Sequence, residues 1–196
     1  MVTIGPYSSS TEWAGVRDQI HSAIRSVEWP VGSGSFTIHP ESGKKSGMGN
    51  GVKPIKLGLR KELAEDGWTF EAVSSLPKAV RPGPLDALIK TDHGTIAVEW
   101  ETGNISSSHR ALNKLMLGLM DGSYIAGVLV VPSAELAKYL TDRIGNLREL
   151  LPYLPVYKAA GNAVTNGVLE IVEVEHDATS TGVAKIPKAT DGRAQR

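Results

Sequence analysis

Leu85-Asp86-Ala87-Leu88-Ile89, then Thr91-Asp92-His93-Gly94, then Val98-Glu99-Trp100-Glu101-Thr102-Gly103-Asn104 is the stretch that decides the fold. Two short apolar runs flank a four-residue turn, which is the pattern of an antiparallel hairpin. Alternate residues of a strand share a face, so Glu99 and Glu101 project together while Val98 and Trp100 turn into the core. The hairpin brings Asp86 back to the same pole. Three carboxylates gathered there repel one another unless a divalent cation lies among them. Asp86 and Glu99 offer hard oxygen ligands, which suit magnesium and not zinc. Glu101 is then free to orient or deprotonate a water. Read alone, a Glu-x-Glu pair is more often the wet face of a half-buried sheet.

Outward from the hairpin, helical and extended segments mix. Thr11 can cap a first helix with Trp13, Val16, Ile20, Ile24 and Val27 at helical spacing, stopped by Trp29-Pro30. Residues 35–38 read as a strand and 41–51 as a loop of glycine, serine and lysine. Residues 56–66 read as a helix stopped by Gly67, and 68–73 as a strand. After the hairpin, a strong helix runs over about 107–120, with Leu112, Leu115, Met116 and Leu119 on one face and Gly122 at its end. On that helix Arg110 and Lys114, four apart, read as a solvated face. Residues 124–131 are almost wholly apolar, as a buried central strand requires. Ser133 can cap a helix through Arg143, Asn146 a short one ending at Pro152, and 168–174 read as a late strand. This order indicates a mixed α/β layer fold.

Composition excludes several classes. The 196 residues form one ordinary domain, and the absence of cysteine rules out disulfides, thiolate metal sites and cysteine nucleophiles. No apolar run reaches membrane-spanning length and the N-terminus lacks a signal pattern, so a cytoplasmic protein without a membrane partner is expected. With 21 basic and 21 acidic residues the net charge is zero. Phosphate binding then needs a local basic face. The histidines show no metal-ligand spacing, and there is no Gly-x-Ser-x-Gly elbow.

The run Glu99-Trp100-Glu101-Thr102-Gly103-Asn104-Ile105-Ser106-Ser107-Ser108-His109-Arg110, with Asn113-Lys114-Leu115, resembles the BamHI family of type II restriction endonucleases. The similarity continues through residues 136–143, returns in Ile186-Pro187-Lys188 and Thr190-Asp191-Gly192, and reaches back to Pro54-Ile55-Lys56. It spans almost the whole chain and is dense from Glu99 to Pro152.

The resemblance implies a restriction-endonuclease-like (PD-(D/E)xK) α/β fold, a mixed central sheet flanked by helices, with glutamate in place of the usual lysine. Residues 1–177 would form the endonuclease core and 178–196 a C-terminal arm, flexible without DNA. Asp86, Glu99 and Glu101 fall on the family's catalytic positions, and Glu71 on a further acidic one. Asp86, Glu99, Glu71 and the carbonyl of Trp100 would hold magnesium, two ions per site. Asn104, Ser106, Arg110, Asp142, Arg143, Asp191, Gly192 and Lys56 would contact DNA. Asp142 and Arg143 suit cytosine N4 and guanine O6/N7. The implied activity is metal-dependent cleavage of both strands of double-stranded DNA at GGATCC, leaving 5′ overhangs. A palindromic target calls for a homodimer, and a host would need a cognate DNA methyltransferase. The alternatives are a catalytically silent, sequence-specific DNA-binding module and a nuclease of the same fold with relaxed specificity.

Overall fold

The computed structural model describes residues 2–45, 47–73, 83–141 and 143–188, the side chains of residues 2–4, 53 and 54 excepted. In chain order it contains β1 (Val2–Ile4), α1 (Thr11–Arg25), β2 (Thr37–Ile38), α2 (Lys53–Glu65), β3 (Thr69–Ala72), β4 (Leu85–Thr91) and β5 (Gly94–Trp100). Then follow α3 (Ile105–Met120), β6 (Ala126–Pro132), α4 (Ala134–Ala137), α5 (Leu147–Leu150), α6 (Leu154–Ala160), β7 (Gly167–Val174) and β8 (Ala178–Thr179). A six-stranded sheet in the order β1-β7-β6-β5-β4-β3 carries the fold. β3, β4 and β5 run antiparallel, β5, β6 and β7 parallel, and β1 closes the far edge antiparallel to β7. β2 and β8 form a separate parallel pair.

Alternation along β5 divides the core. Ile96, Val98 and Trp100 join Trp13, Val16 and Ile20 of α1 and Ile55, Leu59 and Leu63 of α2 on one face. On the other face, Ala97 of β5 and Leu129 and Val131 of β6 pack with Leu112, Leu115 and Met116 of α3. Every residue of β6 is buried, as its apolar run requires. Between parallel β5 and β6, α3 is the crossover helix, ended by Asp121 and then Gly122 at φ 77°, a left-handed position that favours glycine.

Two expectations need correction. α1 is capped by Ser10, whose Oγ accepts from the Trp13 N–H at 3.0 Å, and Thr11 is its first helical residue. The helix capped by Ser133 stops at Ala137 instead of reaching Arg143. The backbone beyond it is claimed by the loop over 41–51. Gly43 N–H donates to Lys138 O (2.8 Å), Asn50 N–H to Tyr139 O (2.7 Å) and Thr141 N–H to Asn50 O (2.9 Å). A Cβ on Gly43 would stand 1.7 Å from Leu140 O, so only glycine permits that approach. The C-terminal passage over residues 178–188 packs back on the core. β8 pairs with β2, Ile186 is fully packed, and Trp29 Nε1–H donates to Ala184 O at 2.7 Å.

Asn50 fastens these segments together. Its side-chain amide donates to His39 O (2.8 Å) and Tyr139 O (3.0 Å), and its Oδ1 accepts from the Ile186 N–H (3.2 Å). Such satisfaction is what a buried amide requires.

Candidate active site

The hairpin forms as its sequence indicates, with Thr91 opposite Gly94 and Asp92-His93 at the turn. Its other end matters more. The β4–β5 ladder stops at Ala87 opposite Val98, one position short of Asp86 and Glu99. On its other edge, β4 pairs Ala87 with Phe70 and Leu85 with Ala72, skipping Asp86 and Glu71. Asp86 therefore sits where both ladders are interrupted. Its Oδ2 accepts from the Trp100 N–H at 2.9 Å, replacing a strand partner with a carboxylate.

Glu99 is buried, not on a wet face. Burial pushes its carboxyl up to about 7, opposed by the Lys114 ammonium and reinforced by Asp86 and Glu101. Glu101 is also raised by burial, with Lys56 pulling down and Asp86 pushing up. These three acids are electrostatic neighbours, as the hairpin reading requires. They do not converge on a point: among the described residues, no three acidic or histidine side chains stand at metal-ligating distance. Two of them are held by lysines. Lys56 Nζ donates to Asp86 Oδ1 (3.1 Å) and Oδ2 (2.9 Å), and Lys114 Nζ sits on Glu99 Oε1.

Glu71 is not gathered with the other three. Its carboxylate is exposed and lies 3.6 Å from Arg60 Nη1, and its backbone is left-handed at φ 48°. A left-handed residue breaks strand alternation, which accounts for the skipped rung beside Asp86.

Lys114 is the residue that sequence reading misplaced. It is buried beneath α3 against β5 and donates to Pro84 O at 2.8 Å. The signal was present: Ala111, Lys114, Leu115 and Gly118 follow i, i+3, i+4, i+7 spacing and all are buried.

The expected DNA-contacting residues distribute around the same end of the sheet. Asn104 caps α3, its Oδ1 accepting from the Ser107 N–H at 3.2 Å, so the cap of α3 stands five residues after Glu99. Ser106 and Arg110 are exposed one turn apart on α3. Arg143 is exposed in the loop after α4 at φ 53°, and the neighbouring Gly145 N–H donates to Gly103 O at 2.9 Å. That bond ties the Arg143 loop to the start of α3. Asp142, Asp191 and Gly192 lie outside the described residues. His109 packs edge-on against Tyr153, ring centroids 4.6 Å apart.

A mixed sheet whose central strands part at a carboxylate cluster, beside the N-terminus of a crossover helix, has the architecture of a restriction endonuclease. The crystal structure of restriction endonuclease BglII complexed with a DNA 16-mer shares the fold, with TM-score 0.56 at 10% identity, covering 92% of this chain and 78% of that one. Residues 1–193 match the family model described as restriction endonuclease BamHI. The chain is 46% identical to the type II restriction enzyme OkrAI of Oceanobacter kriegii over 181 residues, 92% of this chain and 90% of the relative. It is 35% identical to the type II restriction enzyme BamHI of Bacillus amyloliquefaciens over 188 residues, 91% and 82% of the two chains. The chain belongs to the BamHI family of type II restriction endonucleases, metal-dependent site-specific deoxyribonucleases. Among the described residues, no helix is long and apolar enough to cross a membrane.

Proposed function

We propose that this chain is a magnesium-dependent, homodimeric, cytoplasmic endonuclease that cuts both strands of double-stranded DNA within GGATCC, leaving 5′ overhangs. The observation that carries this reading is the electrostatic coupling of Asp86, Glu99 and Glu101 at the end of the sheet where the ladders of β4 stop. The donor set fits magnesium: Asp86, Glu99 and the Trp100 carbonyl are hard oxygens, and the mutual repulsion of the acids favours added positive charge. We assign two ions per site, with Glu71 swinging from Arg60 to join the set. When bound, magnesium supplies the charge that the scissile phosphate and the attacking water need.

The protein's own part is positioning and proton handling. Glu101, its carboxyl held above the ordinary range, is a stronger base than a free glutamate and takes the water's proton. Lys56 sits beside Asp86 and meets the phosphate backbone. Asn104, Ser106, Arg110 and Arg143, with Asp142, Asp191 and Gly192, read base edges.

A palindromic site is matched by a twofold protein. The outer side of α3 exposes Leu117 and Met120, and the segment after α5 exposes Leu151, Tyr153 and Val156. The two elements are joined through Tyr157 Oη, which donates to Asn113 Oδ1 at 2.9 Å. This apolar face is our candidate dimer surface. A cognate methyltransferase would protect host DNA.

The test is a plasmid with one GGATCC site, incubated with magnesium or with EDTA, and sequencing of the ends. Magnesium-dependent cutting of both strands there is expected. Random nicking would remove the base-reading assignments, and binding without cutting would favour the silent DNA-binding module.

A further inference from the structure

Two of the bases that hold the site's acids come from one helix. Lys56 and Arg60 lie four residues apart on α2, on one face and about 6 Å apart along the axis. Lys56 grips both oxygens of Asp86, and Arg60 faces Glu71. Asp86 and Glu71 are the two residues left out of the β3–β4 ladder, opposite one another at the skipped rung. The helix thus presents one cation to each acid of a single gap. The Arg60 guanidinium also lies over the Phe70 ring, its Cζ 5.1 Å from the centroid, so the ring and Glu71 share the same charged group.

Asp86 cannot present both oxygens to Lys56 and serve a metal ion with them as well. Resting on the nuclease reading above, we propose that Lys56 and Arg60 are a phosphate grip held in reserve: they neutralise Asp86 and Glu71 in the metal-free protein, and divalent cation binding releases them onto the DNA backbone. Both side chains are partly exposed, with 28% and 43% of their surface open, so neither needs backbone movement to turn outward. A helix face with cations one turn apart then tracks neighbouring phosphates. The arrangement makes metal binding and backbone binding mutually reinforcing, and linkage requires the effect to be reciprocal.

The test measures the salt dependence of duplex binding, with calcium as the probe cation and EDTA as its control. Each released cation that neutralises a phosphate steepens the log–log slope by about 0.9. The wild-type slope should be steeper in calcium, and Lys56→Gln/Arg60→Gln should lose that increment while binding calcium several-fold tighter in the absence of DNA. Lys56→Arg/Arg60→Lys, which keeps both charges, should retain the increment. A wild-type slope indifferent to calcium overturns the proposal without any variant, and an increment that survives in the double glutamine variant assigns it to the metal alone and also overturns it. Failure to cut the plasmid, with the calcium-dependent slope intact, would remove the nuclease reading and leave this coupling standing.

Discussion

Lys114 Nζ rests on Glu99 Oε1 beneath α3 and donates at the same time to Pro84 O at 2.8 Å. One buried ammonium therefore holds the second acid of the site and the entry to the strand that carries the first. Removing it leaves Glu99 buried beside Asp86 and Glu101 with nothing opposing them. We expect Lys114→Met to lose about 3 kcal/mol in urea unfolding, the lower end for a broken buried pair because Glu99 can take up a proton. Lys114→Met/Glu99→Gln should recover part of the loss in a double-mutant cycle. Equal stability of wild type and Lys114→Met would mean that the pair holds nothing.

The raised carboxyl of Glu99 predicts a pH dependence of definite sign. A carboxyl whose folded pKa exceeds its unfolded value keeps its proton better in the native state. Its contribution to stability is therefore present below the unfolded value of 4.5 and is lost as pH rises to about 7. The loss amounts to about 3 kcal/mol at most. Acids such as Glu12 and Glu41 are shifted the other way, so the quantity to follow is wild type minus Glu99→Gln. In EDTA this difference should shift against the wild type from pH 4.5 to 7 and then flatten. Calcium should abolish the slope.

Glu101 is assigned to the water and not to holding metal. Glu101→Gln should leave calcium affinity within a few-fold of wild type while single-turnover cleavage in magnesium falls by roughly 10²–10⁴. Cleavage at the wild-type rate would end that role.

Asn50 should be costly to lose although it is assigned no part in the chemistry. Asn50→Ala removes the bonds to His39 O, Tyr139 O and the Ile186 N–H inside the core. A loss of about 2 kcal/mol is expected in urea titration. The Ile186 amide should also exchange with solvent more readily.

The proposed dimer surface is testable by one charge. Leu117→Glu places a carboxylate on the exposed outer side of α3. Sedimentation should find monomer at concentrations where the wild type is dimeric, and double-strand cutting should give way to weak nicking. A dimer of undiminished strength would move the interface elsewhere.

The sheet and the active-site hairpin were legible because their signals are local. β4, β5 and β6 announce themselves by alternation, a turn and an apolar run, and α3 by its Leu/Met stripe and its Gly122 stop. What the local pattern could not supply was partnership. Lys114 obeys the buried spacing of α3, yet only the fold shows that Glu99 waits beneath it. The helix after Ser133 has the sequence to continue, and it ends because the chain at residues 43–50 competes for its backbone. Glu71 reads as a strand residue like Glu99, and its left-handed φ, which turns it to Arg60, follows from the tertiary setting. The dense identity from Glu99 onward carried the family assignment across all of these gaps.

Asn50 has a further consequence. It bonds to Tyr139, in the same loop after α4 that bears Arg143, and to Ile186, two residues before the last described position. One side chain thus ties the turn after α4 to the passage at Ile186, although the two are far apart in sequence. Loosening Asn50 would release both stretches at once, so a packing defect at one end is felt at the other.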